Sequence, residues 1–323
     1  MANDFYTPEQ AAVVAAKLVA EDGLLSALVS RNYQEELLGG GKGGAPIGVT
    51  VPTTLIARER GIDETTAAIV LDEISEEREV IQLDRVHDYS AVPLSEADLS
   101  LKITDFGAQV LAPQSAAIAD ALEHKVATKL LSLAETDLGG IDVTNPVAYF
   151  TKLRKHLREN GVPAANLNVV VGTEIYATLL DAKALTDVSE SGSTEALREA
   201  GVGRLRGFTV VESTRVDEDE ILAFHRDAVT LVTRAPVLPQ GASFGSTVSA
   251  GGFQLRYLRD YDAMHTVDRS IVSTFSGVGI LPTFKIERDY ATRTVKRTKL
   301  PDGGALHLRP ALTSGADAEA PAS

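Results

Sequence analysis

The chain has 323 residues, 44% of them hydrophobic, and its 31 Lys and Arg against 45 Asp and Glu give a formal net charge of −14. This length suffices for one large or two modest domains with buried cores, and the acidic balance disfavours general attraction to nucleic acid or anionic membranes. The absence of cysteine excludes disulfides, thiolate metal sites, iron–sulfur clusters and cysteine nucleophiles. The N-terminus lacks a signal-peptide pattern and no apolar run approaches the ~20 residues of a membrane span, so we expect no membrane segment.

Two short amphipathic helices are predicted first. Thr7-Pro8-Glu9-Gln10 supplies an N-cap, an N1 proline and a capping-box glutamine, and Asp22-Gly23 ends this helix. The apolar pairs on the two helices are Val14 with Leu18 and Leu24 with Leu28. Each pair is too small for an independent core, and the glycine run 39–44 predicts a hinge after them.

The next elements are strands. Segments 47–56 and 80–86 are strand-like and flank a charged excursion at 58–79, which predicts a long projecting hairpin. Alternating apolar residues at 99–103 predict a half-buried strand that leads into the longest helix of the chain.

That helix is predicted over Pro113–Leu138, between an N1 proline and the exit Gly139-Gly140. Its apolar stripe, at three- and four-residue spacing, consists of Ile118, Leu122, Val126, Leu130 and Leu133. At about 1.5 Å per residue the helix would extend roughly 40 Å, so we expect other elements to pack across it.

Alternating helices and strands are predicted beyond this helix. Asn145-Pro146 opens a helix that ends at Asn160-Gly161, and a β-branched strand at 167–171 precedes a short helix at 173–180. Residues 184–200 have loop composition. Further strands are predicted at 208–212, 221–224, 228–232, 253–258 and 270–280, and residues 316–323 have the composition of a disordered tail.

A nucleophile-elbow pattern, Gly241-Ala242-Ser243-Phe244-Gly245, is the strongest enzyme-like motif. Asp260, Asp262, His265 and His307 follow in the chain order of an α/β-hydrolase triad. An elbow needs a strand before the serine and a helix after it, whereas prolines precede Ser243 and a small, glycine-rich stretch follows. We therefore interpret the motif as a loop.

Other candidate sites fail on spacing. The glycines of 201–207 and Gly41-Lys42 do not match a dinucleotide or phosphate loop, and Asp120 with His124 lacks a third metal ligand. The acidic run 217–220 is interpreted as a solvated turn, and the six histidines show no ligand spacing. One basic cluster, between Lys285 and Lys299, fits a charged edge strand better than a DNA contact. We predict no catalytic, cofactor-binding or metal-binding residues.

Several phrases of the sequence are similar to those of one viral family. They are MANDFYTPEQ, LVSRNY, VPLSEADLSLKITDFGAQVLAPQSAAIADALEHKV, GRLRGFTVVES, AFHRDAVTLV and LRYLRDYDA. Across roughly residues 1–285 the chain resembles the major capsid proteins of tailed double-stranded-DNA bacteriophages, which have the α+β Hong Kong 97-like fold.

The resemblance implies a set of structural parts. These are an N-terminal arm (1–40), an extended loop (45–86), a peripheral domain (87–165 and 266–300) with spine helix 113–138, an axial domain (166–265), and a flexible C-terminal tail (301–323). It also implies that the arm serves assembly, so that deleting residues 1–38 would abolish uniform shells without unfolding the subunit.

The implied function is that of a non-enzymatic subunit of an icosahedral shell around packaged DNA. The subunit would form hexamers and pentamers with itself, assisted by a scaffolding protein and a portal, with a decoration protein as a further partner. DNA would be enclosed without sequence-specific binding, and assembly would take place in the bacterial cytoplasm before the protein is found in the virion. Two alternatives remain open: an encapsulin-like nanocompartment shell protein and an α/β enzyme.

Overall fold

The structure is a computed structural model that describes residues 7–31, 47–51, 54–59, 62, 68–69, 71, 77–81, 86–95, 106–182, 203–242, 244–262, 264 and 267–313. The chain forms two compact units. The first unit comprises Met1–Ala45, Gln82–Ser132 and Val229–Gly279, and the second comprises Pro46–Ile81, Leu133–Ala228 and Ile280–Ser323.

A five-stranded sheet forms the centre of the first unit. Its strands are β3 (Val86–Leu94), β9 (Val229–Arg234), β10 (Phe244–Ala250), β11 (Phe253–Asp262) and β12 (Val267–Ile280). The order is β10-β11-β12-β3, with β9 also pairing with β12. Gly251 and Gly252, with φ of 60° and 81°, form the two-residue turn between β10 and β11, where residues with side chains would be strained.

The described residues of this unit include three helices: α1 (Pro8–Asp22), α2 (Leu25–Leu28) and α3 (Ala112–Leu131). The predicted capping box of α1 is present, since the Thr7 hydroxyl accepts from the Gln10 backbone N–H and the Gln10 side chain accepts from the Thr7 N–H. Helix α1 packs against β10, β11 and α3, and α3 packs against β3.

Helix α3 confirms the predicted apolar stripe but has different ends. Ile118, Leu122, Val126 and Leu130 are all buried. A π-helical turn at Gly107–Leu111 precedes the helix, which stops at Leu131 rather than Leu138 and is about 30 Å long. The last predicted turn is absent because that segment pairs elsewhere: Glu135 forms a β-bridge with His307, and the Thr136 N–H donates to the His307 carbonyl at 2.7 Å.

The N-terminal helices differ from the sequence expectation. An alanine-rich stripe of α1, consisting of Ala11, Ala12, Ala15, Ala16 and Val19, is at most 1% exposed within the single chain. Small side chains let α1 approach the sheet closely, so the helix does not depend on another molecule for its main burial. The predicted apolar pairs lie to the side of this stripe: Val14, Leu18 and Leu28 are half-buried, and Leu24 is 51% exposed.

The second unit is built on the sheet β15-β8-β5-β7-β6. Its strands are β5 (Leu167–Val171), β6 (Arg204–Leu205), β7 (Phe208–Glu212), β8 (Ile221–His225) and β15 (Leu306–Leu308). The central strand β5 is parallel to β7 and antiparallel to β8, and all of its residues are buried. Helices α4 (Pro146–Glu159) and α5 (Thr173–Asp181) contribute Phe150, Leu153, Leu157 and Leu179 to the core.

Three smaller pairings complete the second unit. Strands β1 (Ile47–Val51) and β2 (Glu77–Ile81) are antiparallel, which confirms the predicted hairpin pairing, although the strands were predicted at 47–56 and 80–86. Strands β13 (Thr283–Asp289) and β14 (Thr294–Leu300) form a second hairpin. A short parallel pair joins β4 (Ile141–Asp142) to β16 (Leu312–Thr313).

Two further expectations are wrong. The flexible tail predicted at 301–323 does not begin at 301, because β15 adds to the sheet beside β8 and Leu306 and Leu308 are buried. The small-residue stretch after Ser243 is strand β10, whose residues pair with β11 over its whole length. The expectations for 39–44, 99–103, 184–200 and 316–323 lie outside the described residues.

The division into arm, loop, peripheral domain and axial domain stays a prediction. Sheet pairing nevertheless places residues 229–262 with α3, whereas the sequence grouped them with residues 166–228.

Candidate functional site

The residues of the predicted elbow and triad do not form a site among the described residues. Ser243 and His265 lie outside that part of the chain, and β10 rather than a helix starts at Phe244. Asp260 and Asp262 lie in the first unit, where both pair with Arg269 across β11 and β12 at 2.8 and 3.4 Å. His307 belongs to the second unit.

The other sequence motifs that the structure describes form a turn and an exposed helix face. Arg206 and Gly207, with φ of 50° and 90°, form the turn between β6 and β7, which confirms that the glycines of 201–207 mark a turn. Asp120 and His124 are exposed on α3, as expected of a solvated helix face. Gly41-Lys42 lies outside the described residues.

Buried polar side chains attach α3 to its surroundings in the first unit. The Glu123 carboxylate, 6% exposed, accepts from the backbone N–H groups of Leu25 at 2.6 Å and Ser26 at 2.7 Å. The Gln114 side-chain amide donates to the carbonyls of Ser90 and Ser270, and the Ser270 hydroxyl donates to the Gln114 oxygen. These bonds connect α3 to α2, β3 and β12.

A partly buried ion pair makes a further connection. Lys125 Nζ lies 2.6 Å from both carboxylate oxygens of Asp88 on β3, and it also donates to the Ser276 hydroxyl on β12. Sequence reasoning missed this network. The available signal was the position of Glu123, which lies one helical turn from both Ala119 and Ala127 and therefore falls on the buried side of α3.

Two groups of exposed apolar side chains lie among the described residues. On edge strand β3 and its neighbour β12, the His87 ring lies 5.5 Å from that of Tyr89 and 5.0 Å from that of Phe275. Partial burial and the charge of Arg256 lower the pKa of His87, which favours the neutral ring. Between β1 and β2, the exposed apolar side chains of the described residues are Leu55 (49%), Ile62 (100%), Ile69 (75%) and Leu71 (88%).

Hairpin β13–β14 carries the predicted basic cluster. Arg293 pairs with Glu59 at 3.0 Å, Lys285 pairs with Glu287 at 3.0 Å, and the Arg297 guanidinium lies 4.6 Å from the centre of the Phe284 ring. The hydrogen bond and charge of Lys285 lower the pKa of Glu287. The basic side chains of this hairpin therefore form an ion pair within it, Lys285 with Glu287, and another with Glu59 outside it.

A third polar cluster lies in the second unit, around the acidic run that the sequence assigned to a solvated turn. That interpretation is wrong for Glu220, which is 5% exposed and pairs with His307 Nε2 at 3.2 Å and with Arg309 Nη2. The preceding acidic residues are more exposed, and Arg309 also contacts Asp217 at 2.8 Å and Asp219 at 3.7 Å. The charge of Glu220 is the main cause of a raised Arg309 pKa.

Glu135 completes this cluster. One carboxylate oxygen each from Glu135 and Glu220 and one ring nitrogen of His307 lie within 4.8 Å of one another. The three residues come from the segment after α3, from the start of β8 and from β15. No spacing pattern indicates this cluster, because successive members are separated by about a quarter of the chain.

Comparison with known proteins concerns the fold. No protein-family profile and no curated protein matches the chain. A structure from Mycobacterium phage Che8 is 19% identical, with a TM-score of 0.59 over 88% of this chain and 90% of that chain. The capsid structure of the cyanophage P-SCSP1u is 14% identical, with a TM-score of 0.53 over 82% and 84%.

A third structure, the asymmetric unit of the mature capsid of bacteriophage PhiM1, is 15% identical, with a TM-score of 0.50 over 83% of both chains. These alignments extend over most of each chain. No helix among the described residues is long and apolar enough to cross a membrane. The chain therefore shares the α+β, Hong Kong 97-like fold of these phage structures.

Proposed function

We propose that this chain is the major capsid protein of a tailed double-stranded-DNA bacteriophage and that it assembles with itself into an icosahedral shell. The observation that carries the proposal is the full-length structural likeness, over 82% and 83% of this chain, to two structures described as phage capsids. A domain shared by chance with an unrelated protein would align over only part of the chain.

In this proposal the first unit, with α3 as the spine helix, corresponds to the peripheral domain, and the sheet of the second unit corresponds to the axial domain. The β1–β2 hairpin and the residues between its strands form the extended loop. The role is structural and non-catalytic. Hexamers, pentamers, a scaffolding protein, a portal, a decoration protein and enclosed DNA are the partners that such a shell subunit would have, in the host cytoplasm and then in the virion.

The exposed side chains of the extended loop support this role. Ile62, Ile69 and Leu71 are 100%, 75% and 88% exposed in the single chain. Burying a fully exposed Ile or Leu side chain contributes about 1.5–3 kcal/mol. A shell subunit would bury these side chains against a neighbouring copy, and many identical contacts would then stabilise a closed particle.

Electron microscopy and sedimentation of the purified chain test the proposal. We expect closed, uniform shells from the wild-type protein. The double variant Ile62→Asp with Leu71→Asp should give folded subunits that do not close, because the introduced carboxylates would be desolvated in the contact. The matched control, Ile62→Val with Leu71→Met, keeps both side chains apolar and should still form shells.

A monodisperse wild-type monomer or small oligomer, under conditions that include a co-expressed scaffolding protein, would contradict the proposal. Normal shells from the aspartate variant would contradict the contact assigned to the extended loop. Circular dichroism of each variant provides the control for folding.

A further inference from the structure

In the cluster of Glu135, Glu220 and His307, one buried ring nitrogen has no hydrogen-bond partner among the described residues. The His307 side chain is 6% exposed and so is that of Glu220. His307 Nε2 lies 3.2 Å from Glu220 Oε1, yet the contact is misaligned, and Nε2 is buried without a hydrogen-bond partner among the described residues. A buried polar atom without a partner is costly.

The other ring nitrogen indicates the proton arrangement. His307 Nδ1 lies 3.3 Å from the carbonyl oxygen of Leu133. A carbonyl oxygen only accepts hydrogen bonds, so Nδ1 is the donor in this contact. In the neutral ring Nε2 then carries the lone pair and faces the carboxylate, so two acceptors oppose each other. This tautomer is also the one that presents Nε2 to a metal, with the backbone carbonyl orienting the ring.

The charges around the cluster favour a cation. Glu135, Asp217, Asp219 and Glu220 contribute four carboxylates, whereas Arg309 is the positive side chain among their recorded ion-pair partners. Arg309 Nη2 contacts the same oxygen, Glu220 Oε1, that lies beside His307 Nε2, so an ion would compete with this guanidinium, whose side chain is 41% exposed. Nitrogen and carboxylate oxygen are both ligands of Zn²⁺.

We propose that Glu135, Glu220 and His307 bind a divalent transition metal ion of the Zn²⁺ class. Donors about 2.0–2.1 Å from one ion lie roughly 3.3 Å apart in a tetrahedral site. The 3.2 Å separation between His307 Nε2 and Glu220 Oε1 fits this spacing. Glu135 is the exposed member of the cluster, and a change of its rotamer would close the remaining distance to the ion.

The consequence is a cross-link between three segments that are far apart in sequence. A bound ion would connect the segment after α3, the start of β8 and strand β15, all within the second unit. It would fix residues 306–313, which the sequence alone assigned to a flexible tail. This inference is independent of the proposed shell function, because it concerns the stability of one subunit.

Thermal unfolding of the full chain, treated with a chelator and then titrated with Zn²⁺ alone, tests the site. At a hundredfold excess of free Zn²⁺ over its Kd, we expect the unfolding temperature to rise on the order of 5 °C. Glu135→Gln removes an exposed ligand without disturbing the core, so this variant should fold and bind Zn²⁺ at least about tenfold more weakly. Glu159→Gln, at an exposed carboxylate of the same unit, is the matched control and should behave as wild type.

Three further variants guard against indirect effects. His307→Gln should abolish the visible absorption that Co²⁺ gains in a protein site, while His156→Gln should keep it. Arg309→Gln should strengthen Zn²⁺ binding, because it removes the cation that competes for Glu220. No Zn²⁺-dependent rise in the unfolding temperature, or equal binding by wild type and Glu135→Gln, would overturn the proposal and leave an imidazolium–carboxylate pair as the account of the contact.

Discussion

The carboxylate of Glu123 offers the sharpest test of how the spine helix is attached. Its two oxygens each accept one backbone N–H, from Leu25 at 2.6 Å and from Ser26 at 2.7 Å. All three residues are buried, so water does not replace either bond. Glu123→Gln preserves the shape of the side chain but exchanges one acceptor oxygen for an NH₂ group.

The expected loss of unfolding free energy follows from this exchange of one oxygen for an NH₂ group. One charge-assisted hydrogen bond is lost and an N–H then faces an NH₂ donor, while the remaining bond becomes neutral and therefore weaker. A hydrogen bond to a charged group contributes about 1.5–3 kcal/mol, and a neutral one about 1 kcal/mol. We therefore expect Glu123→Gln to lower the free energy of unfolding of the first unit by about 2–4 kcal/mol.

Hydrogen exchange measured by NMR or mass spectrometry, together with urea unfolding, gives the readout. The amides of Leu25 and Ser26 should lose protection in Glu123→Gln, and the urea midpoint should fall. Glu159→Gln, at a side chain that is 61% exposed, should change neither quantity. Unchanged protection at Leu25 and Ser26, with a stability loss under about 0.5 kcal/mol, would refute the attachment of α2 to α3 through this carboxylate.

Two further predictions concern the core of the second unit and the N-terminal helices. The Tyr149 hydroxyl is buried without a hydrogen-bond partner among the described residues, so Tyr149→Phe should raise the free energy of unfolding by about 1 kcal/mol. Burial raises the pKa of Tyr149. The stability that this raised pKa contributes is thus fully present below the unfolded pKa of about 10 and is lost as the pH rises above it. Denaturant unfolding near neutral pH and at about pH 10.5 should therefore show that the free energy of unfolding falls less for Tyr149→Phe than for the wild type. Deleting residues 1–31 should destabilise the first unit by several kcal/mol, on the order expected for losing the buried face of α1, rather than leave folding unchanged. Circular dichroism melting checks this, and an unchanged melting temperature would show that α1 does not pack on its own sheet.

Sequence patterns predicted the local structure correctly where the residues that determine it lie within one segment. The capping box at Thr7 and Gln10 is present, Asn145-Pro146 and Gly161 stand at the ends of α4, and the β-branched run of β5 is a buried central strand. The apolar stripe of α3 was also predicted correctly, because helical periodicity determines which side chains share a face. The phrases shared with phage capsid proteins predicted the fold that the structural comparison supports.

The sequence by itself therefore determined the type of most helices and strands and the class of fold. Only the tertiary structure decided where α3 ends, since a backbone pairing with His307 replaces its predicted last turn. The same is true of β15, which is held by a sheet edge formed from β8, and of Glu220, which is buried by His307 and Arg309. The physical reason is common to these cases: each depends on a partner far away in the chain, and the pattern of a single segment contains no information about that partner's position.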